Sequence, residues 1–167
     1  HGGQGGLVDL VAQALRGECG MTVARCSYYR FGLPDGWLTA SERRFGLHGG
    51  QLETSLLLHV ASHLVRVDRA RGFASRAVEW EMAHPGLHIE GETGVGWRAE
   101  DLNAEGVTGD AAAASADLGA RLLTHYAGRL AALIGPNGAG KPSLVNCCTG
   151  IYRPTEGRVL LGETDVT

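Results

Sequence analysis

The sequence predicts an α/β fold: an incomplete three-layer α/β/α sandwich with a P-loop-like segment loosely attached at its C-terminal end. Three observations carry this expectation. A glycine-rich turn, HGGQGG, leads into an apolar-periodic run and then a short run that reads as a buried strand, the order found in half of a layered α/β unit. Three separate segments repeat apolar residues at helical spacing. A Gly-x-x-x-x-Gly-Lys run occupies Gly135 to Lys141.

The chain has 167 residues, enough for one domain with an ordinary core and short for two. Fifteen Lys and Arg against 18 Asp and Glu give a formal charge of -3 without long runs of either sign, which points away from nucleic acid or an anionic membrane surface as partner. No apolar run approaches the roughly 20 residues needed to cross a bilayer. The first residues have neither the basic start nor the apolar middle of a signal peptide, so the expectation is a soluble, cytoplasmic chain without membrane insertion. Cys19, Cys26, Cys147 and Cys148 lack metal-type Cys-x-x-Cys spacing and read as reduced thiols, mostly filling the core.

In chain order, Leu7, Val8, Val11 and Leu15 mark a first helix, with Gly17 and Gly20 as stop signals. MTVARCSYY, Met21 to Tyr29, is the expected strand. Pro34-Asp35-Gly36 is turn chemistry and makes FGLPDGW a loop. A second helix is expected over Leu52 to Val65, with Leu52, Leu56, Val60 and Leu64 in one stripe. From Val67 to Gly109 the pattern weakens, as in an irregular segment with short strands that covers a site or is poorly ordered. Asp110 is the expected cap of a third helix whose stripe is Leu118, Leu122, Tyr126 and Leu130, and which continues into Ala131, Ala132 and Leu133. Trp80 reads as core; Trp97 fits a pocket or the core equally.

The densest chemistry lies in GLHGGQLETSLLLH, Gly46 to His59. Glu53 shares a helical face with Leu56, Leu57, Val60 and Leu64, so the pattern buries a carboxylate, which then needs a metal, a cation or several donors. Equally, Glu53 caps its own helix from the first turn, near the positive end of the dipole. His48 precedes that helix on a Gly-Gly turn, from which its ring reaches the same pocket. His59 and His63 have ligand spacing but lack the Glu of a zinc-protease helix, and read as a partly solvated pair.

His1-Gly2-Gly3-Gln4, then His48-Gly49-Gly50-x-x-Glu53-Thr54-Ser55, then DLNAEGVTGD from Asp101 to Asp110, together resemble the second half of the creatininase (creatinine amidohydrolase) family over residues 1–130. The resemblance implies an α/β/α fold and metal-dependent hydrolysis of C–N bonds in cyclic amides or small peptides. It implies His1 as a ligand of a two-metal site holding zinc or manganese, Glu53 as an acid at or beside the metals, and His48 as a proton donor or acceptor, with His48 and Glu53 the catalytic pair. Such ions lower the pKa of bound water to about 7, and a nearby His passes a proton to the leaving nitrogen. Gln4 departs from the family's usual Asn. The family's early Glu-x-His motif and its later bridging Asp would precede His1, so the expectation is a partial domain, starting partway through the fold and inactive as it stands.

Residues 131–167 resemble the opening of an ABC-transporter ATPase of the branched-chain amino-acid importer kind. The resemblance implies that Gly135, Asn137, Gly138, Gly140, Lys141 and Ser143 surround the phosphates of ATP with magnesium, and that the partners are transporter membrane subunits. Pro142 stands where the magnesium-binding hydroxyl belongs, and it also removes a backbone N–H. A P-loop must follow a buried strand, whereas Ala131 to Ile134 continue a helical pattern. The expectation is therefore weak ATP binding at most, a helix near Pro142 to Cys148, and a short strand in GRVLL. The main reading is a partial amidohydrolase acting on a small amide; the alternative is an ATP-binding fragment of an importer.

Overall fold

The computed structural model describes residues 4–21, 23–91, 93–134, 160–161 and 164–165, the last four and 133–134 by their backbone alone. The chain divides into two units, His1–His125 and Tyr126–Thr167.

In the first unit, α1 (Gly5–Cys19) forms where the apolar repeat predicts and ends at Gly20, where Arg16 Nη1 donates to the Gly20 carbonyl at 2.8 Å. Its apolar residues Leu7, Val8, Leu10 and Val11 are exposed. The strand expected over Met21 to Tyr29 is not formed. Residues 21 and 23–27 pair with no strand, and the chain coils into a 3-10 turn at Tyr28–Phe31. No described strand lies alongside to take up its backbone donors and acceptors, so the segment remains at the surface. Cys19 and Cys26 are free and exposed there, which corrects their assignment to the core.

Helix α2 (Ala40–Phe45) is capped by Thr39, whose Oγ1 accepts from Glu42 N at 3.1 Å. Helix α3 (Gln51–Ala61) is the expected second helix, shortened because the chain tightens into a 3-10 turn at Ser62–Leu64. Its buried residues are Leu52 and Ser55, while Val60 and Leu64 of the expected stripe are exposed. The seam is turned toward Ser55 because Gly119 opposite lets the two backbones meet. A Cβ on Gly119 would stand 2.7 Å from the Ser55 carbonyl carbon. His59 and His63 lie exposed, as the solvated reading expects.

The weakly patterned stretch contains β1 (Gly72–Phe73), α4 (Ala77–Ala83), α5 (Ala99–Leu102) and β2 (Gly109–Asp110). β1 and β2 pair antiparallel, Gly72 with Asp110 and Phe73 with Gly109. The expected α/β/α sandwich calls for a parallel sheet, whereas the described strands pair antiparallel and are two residues long. Ala77, Ile89 and Leu102 form a buried cluster, with Phe45, Leu47, Trp80, Val95 and Trp97 packed against it. Trp80 is core as expected, and Trp97 joins it.

Asp110 caps a 3-10 turn at Ala111–Ala113, accepting from Ala113 N at 3.3 Å, rather than the third helix itself. Ala114 is extended and separates the two, so Ser115 takes the capping role, its Oγ accepting from Leu118 N at 3.1 Å. Helix α6 (Ala116–Ile134) then buries Leu118, Leu122 and Tyr126. Leu130, the last member of the expected stripe, is exposed.

In the second unit, α6 continues through Ala131 to Ile134, as the helical pattern predicts. β3 (Leu160–Leu161) and β4 (Thr164–Asp165) pair antiparallel, with β3 inside GRVLL. Gly135 to Ser143, and the helix expected to Cys148, lie outside the described residues. No described helix is long and apolar enough to cross a membrane.

Candidate functional site

The His48 turn, Gly46 to Gly50, is held at its middle by Thr108, which is fully buried. Thr108 N donates to the His48 carbonyl at 2.8 Å, forming an antiparallel bridge. The Thr108 hydroxyl in turn accepts from Leu47 N at 3.0 Å and His48 N at 3.2 Å. With one side chain satisfying two backbone donors, the backbone of His48 has little freedom left.

Gly49 follows with a φ of 66°, a conformation glycine adopts without Cβ strain. That turn aims its N–H at Glu53 Oε2, 2.7 Å away. Thr54 closes the same loop, its hydroxyl donating to the Gly49 carbonyl at 2.9 Å. The other Glu53 oxygen, Oε1, accepts from the Tyr29 hydroxyl. Glu53 is thus a half-buried acid supplied with donors by the chain, and its bond goes to the residue before the helix N-cap rather than to its own first turn. The face it was expected to share is not a buried one, since Leu57, Val60 and Leu64 are exposed.

Tyr29 stacks on Tyr28 with ring centroids 4.1 Å apart. Burial, followed by the hydrogen bond to Glu53, pushes the Tyr29 phenol far above its ordinary value. Burial also raises Tyr28. These tyrosines came from a stretch expected to be strand, and nothing in its pattern marked them as partners of Glu53.

Glu42 is a second residue that sequence reasoning missed. It is buried at 6 % exposure, with Oε1 accepting from Gln51 N at 2.6 Å and Oε2 from Asp110 N at 2.8 Å. The signal was Thr39-x-x-Glu42, the spacing of a capping box, which marks the start of α2. The side chain nevertheless turns away from its own helix to serve the start of α3 and the end of β2.

His1 lies outside the described residues, so its pairing with Glu53 is not seen. Among the described residues no three His, Cys, Asp or Glu side chains group as metal ligands. Each oxygen of Glu53 accepts one hydrogen bond, from Gly49 N or from the Tyr29 hydroxyl. The described side chains thus do not fit a metal centre by themselves. A shallow, open hollow of about 410 Å³ on α6, lined by Trp37, Ala120, Arg121, Thr124 and His125, includes neither His48 nor Glu53. In it the Arg121 guanidinium sits 4.3 Å over the Trp37 ring.

Comparison with known proteins matches the whole of this region. Residues 1–134 match the family model "Creatininase: Creatinine amidohydrolase", and residues 121–167 match "ABC transporter". The fold is similar to the crystal structure of a protein assigned as a creatinine amidohydrolase from Bacteroides fragilis, with a TM-score of 0.56 and 20% identity. That likeness covers 78% of this chain and 47% of the other. A ribose import ATP-binding protein, RbsA 1, of Agrobacterium fabrum is 64% identical over 39 residues, which are 23% of this chain and 8% of that protein. The high-affinity branched-chain amino acid transport ATP-binding protein LivG of Escherichia coli K12 is 56% identical over 39 residues, 23% of this chain and 15% of its own length. The chain thus spans less than a sixth of these transport relatives and about half of the amidohydrolase. The family match over residues 1–134 takes in the His48 turn, Glu53 and Thr108, and by it the chain belongs to the creatininase (creatinine amidohydrolase) family.

Proposed function

We propose that residues 1–130 carry the His48–Glu53 part of a creatininase-family amidohydrolase pocket, directed at the C–N bond of a cyclic amide or small peptide in the cytosol. The parent arrangement is a three-layer α/β/α sandwich, of which this chain holds part. The observation that supports the reading is the pinned turn: Thr108 fixes the backbone of His48 while Gly49 ties that turn to Glu53. So constrained a backbone fixes the point from which the His48 side chain starts, one of the conditions for proton transfer to a leaving nitrogen.

Glu53 acts here as an acceptor that shapes the turn. Each of its oxygens keeps a second lone pair beside its one hydrogen bond, but no two further described His, Cys, Asp or Glu side chains group with it as metal ligands. The polypeptide 1–167 is accordingly proposed not to hydrolyse amides by itself. Two measurements test the reading. Adding creatinine or a small cyclic amide should shift the His48 ring resonances, and resonances that stay in place would overturn the pocket. Calorimetry with Zn²⁺ or Mn²⁺ should show no stoichiometric uptake; uptake abolished by Glu53→Gln would overturn the acceptor role.

The identity of 64% over 39 residues favours a second reading, in which residues 131–167 are an ATP-binding fragment with importer membrane subunits as partners. Gly135, Asn137, Gly138, Gly140, Lys141 and Ser143 would then contact ATP and magnesium. Pro142 and the helix running through Ile134 both oppose it. Nucleotide binding that Lys141→Ala leaves unchanged would sink this reading.

A further inference from the structure

We propose that Glu42 is the positioning residue of the His48 turn, holding both ends of Gly46 to Gly50 while Thr108 holds the middle. The inference rests on the pocket reading above, in that His48 is the side chain being placed. Three glycines close over the Glu42 carboxylate. A Cβ on Gly46 would fall 2.5 Å from Glu42 Cδ, and one on Gly109 would fall 2.6 Å from Oε1 and 2.8 Å from Oε2. A Cβ on Gly50 would meet Oε1 more closely still, and would stand 2.8 Å from the Thr108 carbonyl oxygen. Gly46 and Gly50 are the first and last residues of the turn that carries His48, and both rest on this one carboxylate. The donors to it come from outside α2: Gln51 N opens α3, and Asp110 N lies in β2, two residues past Thr108.

The geometry has a clear division of labour. Glu42 is buried, 6 % exposed, and spends both oxygens on backbone N–H groups, so its charge is compensated by one donor just after the turn and one in β2, beside the Thr108 that holds the turn's middle. Glycine at 46, 50 and 109 is what allows the carboxylate in. A carboxylate has two acceptor oxygens, whereas an amide of the same size has one and turns its NH₂ against a backbone donor. Glu42→Gln should therefore keep one bond and lose the other, and Glu42→Ala should lose both.

Hydrogen exchange on the full chain reads this directly. In the wild type, the Gln51 and Asp110 amides should be protected to the level of the Leu122 amide in α6; if either exchanges as freely as an exposed loop amide, the proposal is overturned without any variant. In Glu42→Gln, exchange at Gln51 or Asp110 should rise about tenfold relative to that at Leu122, and the His48 ring resonances should move. Glu42→Ala should exceed Glu42→Gln on both counts, and Gly50→Ala, which pushes on the same carboxylate from outside, should reproduce the local pattern. Exchange that rises equally at all amides, or His48 resonances that do not move, would reduce Glu42 to a general stabilising residue and overturn the positioning role. None of these readouts depends on amide binding, so failure of the pocket reading would show separately, as His48 resonances that ignore added amide.

Discussion

Two glycines in α6 should respond in opposite directions to the same substitution. An alanine in a helix interior gains about 1 kcal/mol over glycine from backbone entropy, and this gain applies equally to Gly119 and Gly128. At Gly128 a new Cβ meets nothing within 4 Å, so the gain stands alone. At Gly119 the Cβ would lie 2.7 Å from the carbonyl carbon of Ser55, with the carbonyl oxygen nearer still, and 2.8 Å from the Cβ of His59. These obstacles are the α3 backbone and a side-chain root, which cannot rotate away. The helices must separate, which costs about 1–3 kcal/mol in overpacking strain. Separation also strains the 3.1 Å bond from Ser115 N to Ser55 Oγ, worth about 1 kcal/mol. It loosens the packing of Leu122, which is fully buried. The net expectation is a loss of about 2 kcal/mol for Gly119→Ala against a gain of about 0.5–1 kcal/mol for Gly128→Ala. In thermal unfolding this corresponds to a fall in Tm of about 5–10 °C for the first and a small rise for the second. Equal effects of the two substitutions, or a stabilised Gly119→Ala, would refute the close approach of α3 and α6.

Thr108→Val keeps the shape of a buried side chain but leaves Leu47 N and His48 N without their acceptor, so denaturant unfolding should show a loss of about 1–3 kcal/mol that Thr108→Ser largely avoids. The Tyr29 phenol titrates higher in the folded chain than unfolded, so its contribution to stability is complete below the unfolded tyrosine value of about 10 and falls away as pH rises beyond it. Ultraviolet titration should show a tyrosine ionising late in the wild type and less late in Glu53→Gln, where burial alone still raises it. At Glu81, burial alone would raise the carboxyl, yet the Arg44 guanidinium and then His88 hold it below the ordinary glutamate value. Its contribution is present above the unfolded value and is lost as pH falls through the lower folded one. In Arg44→Gln the folded value moves up toward the unfolded one, so the acid-side loss of stability should be smaller and be complete at a higher pH.

Much of the local structure was legible in the residues themselves. Apolar spacing placed α1, α3 and α6, and Pro34-Asp35-Gly36 placed a loop, because helix period and turn chemistry are properties of neighbouring residues. The same reasoning located the His48-Gly49-Gly50-x-x-Glu53 element and held that a buried Glu53 needs a metal, a cation or several donors, without deciding among them. It also carried α6 through Ala131 to Ile134, where a P-loop would need a strand. The strand expected at Met21 to Tyr29 failed because a strand requires a neighbour, and no described segment supplies one.

What the sequence by itself determined was therefore the three longest helices and one turn, and the family; it also nominated the acid and histidine of the candidate site. Only the tertiary structure decided which donors the acid receives, since Tyr29 is 24 residues from Glu53 in the chain. It decided too which face of α3 is buried, because one glycine on α6 brings Ser55 rather than Val60 into the seam. Glu42 makes the same point most fully: its three glycines and two backbone donors are spread from Gly46 to Asp110, and only the folded chain gathers them around one carboxylate. Local pattern reports the energetics of neighbouring residues, whereas a buried charge is tolerated only when distant backbone groups converge on it.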